Sequence, residues 1–74
     1  MRERHYGPRG VAARAAAGAE LAEVLGTLIR DAQVRPHDLG SPSGAEAVAD
    51  ALDVFRESEA AGIVRAWVKE ERSS

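Results

Sequence analysis

Apolar residues in the run SGAEAVADALDVFRESEAAG, residues 43–62, recur three and four apart. Val48, Ala51, Leu52 and Phe55 therefore line one side of a helix, while Glu46, Asp50, Asp53 and Glu57 point away from it. The start is marked by Ser43 as N-cap with Glu46 three residues on, a reciprocal pair that satisfies two orphan backbone N–H groups, and by Pro42 just upstream. The stop is expected at Gly62. Were the helix to run on, Val64 and Val68 would land beside Asp50 and Glu57, and Glu59 would sit on the apolar side next to Phe55. A glycine in the left-handed C-cap conformation lets the last segment re-aim itself.

The same spacing predicts a first helix over residues 11–33, with Ala17, Leu21, Val24, Leu25, Leu28 and Ala32 on one stripe and Ile29 at its edge. This stripe is expected to face the second helix. Gly18 and Gly26 each cost about 1 kcal/mol against alanine in a helix interior, so a close contact or a kink is expected there. Gly18 lies on the apolar side and suits a packing contact; Gly26 does not, and the sequence offers no reason for it. Arg14 also projects to the buried side, which implies that the first turns of the stripe are uncovered or covered by a partner. Residues 63–71, IVRAWVKEE, read as a short third helix, with a strand as the alternative: the β-branched and aromatic content favours strand, the charged ending helix.

The expected fold is all-α, a two-helix core with a short third C-terminal helix or, alternatively, a C-terminal strand. Residues 35–44, RPHDLGSPSG, form an ordered linker in which Pro36 ends the first helix and Leu39 tucks down as a plug. Residues 1–10 are a basic flexible arm anchored by Tyr6, able to form a short strand over residues 2–6 only if another strand pairs with it. Residues 11–74 make a single small helical domain.

Size sharpens this picture. A chain of 74 residues sits where one core barely offsets the entropy of ordering. It holds three aromatics, Tyr6, Phe55 and Trp67, and its apolar content is otherwise heavy in alanine, which makes good helix and poor core. Burial against a second copy or a partner is the natural remedy, so a homodimer is expected. No cysteine occurs, which excludes disulfides and thiolate metal sites and leans the chain toward the cytoplasm. No secretory leader is expected from the charged, glycine-rich first ten residues, and no stretch reads as a membrane span.

The formal net charge of −2 is unevenly spread. Residues 1–19 hold four arginines against Glu3, a net +3; residues 20–64 hold nine acids against three arginines, a net −6. A basic arm on an acidic body can bind nucleic acid or an acidic partner, or can fold onto a neighbouring subunit; a solvated terminus is the plain alternative.

Catalytic patterns are missing. His37-Asp38 is the one adjacent pair of the kind used in acid–base or metal chemistry, and it sits in the linker with His5 far away in sequence. No spaced set of histidine, cysteine and carboxylate supplies the three or four ligands of a zinc site. Phosphate-binding glycine loops and nucleophile elbows are also absent from the sequence. Ser41 and Ser43 suit turn and cap positions. The chain is expected to be no enzyme and to need no cofactor.

Two local likenesses bear on partners. The run EAAGIVRAWV, residues 59–68, resembles the end of a winged-helix recognition helix entering its first wing strand at Gly62. The pattern of Ser43, Glu46, Val48, Ala51, Leu52 and Phe55 is similar to the second helix of ribbon-helix-helix antitoxins. Either resemblance implies a DNA-binding regulator. Residues 45–60 carry five acids and only Arg56, a net −4 that would meet phosphates in the winged-helix arrangement. In the ribbon arrangement DNA is read by an N-terminal strand, and this N-terminus is basic, although the first helix is longer than that family's pattern.

The leading expectation is a non-catalytic helical protein–protein interaction module, a homodimer that also binds an unidentified protein. Leu21, Leu25, Leu28 and Trp67 are its candidate contact residues. Trp67, flanked by Arg65 and Lys69, suits an interface anchor as well as a core residue. The alternative is a small DNA-binding regulator or antitoxin-like dimer that sets Arg2, Arg4 and Arg9 against phosphates.

Overall fold

A computed structural model describes residues 8–74, with side chains from residue 13 onward. Its elements in chain order are α1 (Pro8–Arg30), a 3-10 turn (Pro36–Leu39), α2 (Pro42–Val54) and α3 (Ser58–Ser73). The fold is all-α, and no strand occurs among the described residues. The possible strand over residues 2–6, the Tyr6 anchor and most of the basic arm lie outside the described residues.

Helix α1 starts earlier than the periodicity indicated, because Pro8 suits a first helical position where its missing N–H is not needed. It ends at Arg30, short of both Gln33 and Pro36. There Ala32 takes φ 62°, and the Ala32 and Gln33 N–H groups donate back to Ile29 O (3.1 Å) and Leu28 O (2.8 Å). These two bonds are those of a Schellman stop, here with alanine where glycine is usual.

In the linker the Asp38 carboxylate accepts from the Arg35 backbone N–H at 3.0 Å and closes the 3-10 turn. Leu39 packs against the core as the plug the sequence implied. The cap of α2 is Ser41, not Ser43. Ser41 Oγ accepts from Gly44 N–H at 3.2 Å, and the ladder opens with Ala45 N–H to Ser41 O at 2.9 Å. Capping from Ser41 puts Pro42 at the first helical position, which the Ser43 assignment would have wasted.

The break after α2 is real but falls six residues before Gly62. Arg56 adopts φ 66°, with Arg56 N–H bonded to Asp53 O (2.9 Å) and Glu57 N–H to Leu52 O (2.8 Å). Gly62 lies inside α3, exposed, with open space where a Cβ would stand. Breaking at Arg56 frees Ala60, Ala61, Val64 and Val68 to form one buried face and leaves Glu59 in solvent. That resolves the conflict of valines among acids that a continuous helix would create. The strand alternative for residues 63–71 is overturned, since a lone strand has no ladder partner whereas the helix buries Val64 and Val68.

α3 is longer than α2, at 16 residues against 13, and is the element on which the others assemble. It pairs most extensively with α2 and next with α1, while α1 and α2 touch at few points. The expectation that the α1 stripe faces α2 is therefore corrected: α1 rests mainly on α3. The core consists of Ile29, Ala45, Ala49, Leu52, Ala60, Ala61, Val64 and Val68. Alanines fill half of it, and such small side chains leave little between the two helices α2 and α3.

Candidate functional site

The face of α1 that meets the rest of the fold carries Ala22, Leu25 and Ile29, not the middle of the predicted stripe. At about 100° per residue, Leu21 lies roughly a quarter turn away from Ile29. The stripe is consequently used along one edge only. Leu21 remains 71% exposed and Val24 59%, Ala17 is exposed, and Leu28 is half-buried. Of the candidate contact residues, Leu25 is spent on the domain's own packing and Leu21 is not.

Beside this stripe runs an apolar cleft of about 260 Å³ between α1 and α2, lined by Gly18, Leu21, Leu25, Val48, Ala51 and Phe55. Its floor exists because position 18 has no side chain. A Cβ there would stand 2.8 Å from Phe55 Cζ, so the ring closes on the α1 backbone. Gly26, unexplained by the sequence, is buried under the Glu57 side chain: a Cβ there would collide with the carboxylate of Glu57, the residue that caps the start of α3.

Trp67 lies on α3, half-buried and packed against the core. With Pro36, Ile63 and Glu70 it borders a shallow depression on the face of α3 near the linker. The structure does not bring it together with Leu21 and Leu28. Arg2 and Arg4 lie outside the described residues. Arg9 falls in the first turn of α1, where only the backbone is described.

The acids of α2 are not an open negative face. Arg65 of α3 forks onto Asp50, at 2.8 Å, and Asp53, and Arg72 reaches Glu46 at 3.1 Å. The hydrogen bonds to Asp50 first and Asp53 second hold the Arg65 guanidinium above its ordinary pKa. These pairs are exposed, so they orient α3 on α2 more than they hold it. The residues that sequence reasoning assigned to solvent thus flank the α2–α3 seam.

His37 is exposed, with Nε2 3.3 Å from Asp38 Oδ1, while the other Asp38 oxygen is engaged by the Arg35 N–H. The carboxylate therefore serves the turn. Among the described residues no group of three or more histidines, cysteines and carboxylates is placed to hold a metal ion. Among the same residues no helix is long and apolar enough to cross a membrane. No family model, curated protein or solved structure matches this chain.

Proposed function

We propose that this chain is a non-catalytic helical protein–protein interaction module that acts as a homo-oligomer through the uncovered face of α1. One observation carries the reading: Leu21 and Val24 stand together and largely exposed on a helix whose other side is already packed. Bulky aliphatic side chains left in water next to an apolar cleft mark a contact surface. The domain also has reason to recruit more burial, since the bulkiest fully buried side chains among the described residues are Leu52 and Val64. The absence of cysteine is in keeping with work in the cytoplasm.

The test is molar mass by light scattering over a dilution series, for the wild type and for Leu21→Glu. The wild type is expected above monomer mass, and the variant at monomer mass with unchanged helical circular dichroism. A wild type that is monomeric at every concentration overturns the reading.

A second reading is favoured by the charge split, a net +3 over residues 1–19 against −6 over residues 20–64. It is a small DNA-binding regulator in which Arg2, Arg4 and Arg9 contact phosphates. Retardation of random duplex that weakens steeply with salt, and vanishes when residues 1–10 with all three arginines are removed, would favour it.

A further inference from the structure

We propose that the occupant of the uncovered α1 face is a second copy of α1 running antiparallel, with the two-fold axis passing between Leu21 and Val24; this rests on the reading above. The carrying observation is a pattern along one face. Arg14, Ala17, Leu21, Val24, Leu28 and Asp31 are spaced three, four, three, four and three residues apart, the heptad seam of paired helices. Ala17, Leu21, Val24, Leu28 and Asp31 turn away from the face that carries Ala22, Leu25 and Ile29, whereas Arg14 lies on the Leu25 side of the seam, about 20° from Leu25 at 100° per residue. Arg14, Ala17, Leu21, Val24 and Asp31 are exposed and Leu28 is half-buried. Asp31 still extends the helix, because its N–H bonds to Thr27 O at 2.9 Å.

That spacing reads the same in both directions, so two copies can be laid head to tail in register. Antiparallel pairing then places each Arg14 opposite the partner's Asp31, each Ala17 opposite the partner's Leu28, and Leu21 opposite the partner's Val24. Opposite charges meet at both ends, small meets large where Ala17 faces Leu28, and two branched aliphatics meet at the centre. A parallel pair would instead oppose arginine to arginine and aspartate to aspartate, and would leave one layer empty and another overfilled.

Charge along the helix points the same way. Residues 8–19 hold Arg9 and Arg14 with no acid, whereas residues 20–31 hold Glu20, Glu23 and Asp31 against Arg30. A basic half followed by an acidic half complements itself only when reversed. An isologous two-fold interface demands such self-complementarity, and a foreign protein would have to supply the reversed pattern independently. The α1–α2 cleft lies alongside, where its Val48 and Ala51 lip can widen the contact.

The chain has no cysteine, so cross-links can be placed on the full-length protein without background. Ala17→Cys and Leu28→Cys are oxidised separately and as a mixture. The mixture is expected to form a mixed disulfide at least about tenfold faster than either alone, because the like positions lie roughly 16 Å apart along an antiparallel pair at 1.5 Å per residue. In sedimentation, Arg14→Glu and Asp31→Lys should each weaken the dimer about tenfold, and the double swap should restore it. Equal cross-linking of Ala17→Cys with itself, or a dimer that Leu21→Glu dissolves but the double swap does not rescue, overturns the antiparallel arrangement and leaves the contact face standing. No dimer, or a dimer indifferent to Leu21→Glu, overturns both.

Discussion

The Phe55 ring lies directly on the backbone of Gly18, with its Cζ only 2.8 Å from where a Cβ would be. This contact joins the end of α2 to the middle of α1, two helices that otherwise touch little. Gly18→Leu forces the ring off α1. Its cost is expected at about 1–3 kcal/mol, the usual range for overpacking, despite leucine's better helix propensity. Urea denaturation measures it; a variant as stable as the wild type would show that the ring does not depend on the glycine.

Gly26 and Gly62 are both helical and should respond differently to the same substitution. Gly62 faces open space, so Gly62→Ala gains helix propensity and is expected to stabilise by about 1 kcal/mol, seen as a rise in Tm of roughly 4–8 °C. Gly26→Ala must push aside the Glu57 carboxylate, the far end of a flexible side chain, so only part of its gain should be cancelled. In a Glu57→Ala background that partial penalty should disappear. A double-mutant cycle reads this directly, and additive effects would contradict the contact.

Both interior helix stops place a side chain in the left-handed region, Ala32 at φ 62° and Arg56 at φ 66°. That conformation costs a non-glycine residue roughly 1–2 kcal/mol, partly repaid by its smaller unfolded-state entropy. Arg56→Gly and Ala32→Gly are therefore expected to raise stability by about 0.5–1 kcal/mol each. Thermal melts at low concentration check this, and a loss at Arg56 would mean that its side chain contributes more than its backbone costs.

The Arg65 fork onto Asp50 and Asp53 bridges α3 to α2 at the surface. Arg65→Ala should lower Tm modestly, and the difference from wild type should shrink in 1 M salt, where screening acts within about 3 Å. Arg65→Lys should recover only part of the loss, because an ammonium cannot span two carboxylates as a guanidinium does. A salt-independent loss would assign the effect to the buried stem of the arginine instead.

Hydrophobic spacing and turn chemistry by themselves determined that α1 and α2 are helices, that an apolar stripe runs along α1, that Leu39 plugs the linker, and that the helix after residue 42 must break before Val64 and Val68; they left residues 63–71 open between helix and strand. These follow from periods and turn chemistry acting over a few residues. The place of the break, the cap at Ser41, the central role of α3 and the reason for Gly26 were decided by tertiary packing. A glycine inside a helix costs about 1 kcal/mol and an arginine at positive φ about 1–2, differences that local rules cannot rank reliably. Burying Val64 and Val68 outweighs both, since each such side chain contributes roughly 1.5–3 kcal/mol. The same argument explains α1: periodicity marked which residues are apolar, but only α3's docking decided which edge of that stripe is covered and left Leu21 and Val24 in water.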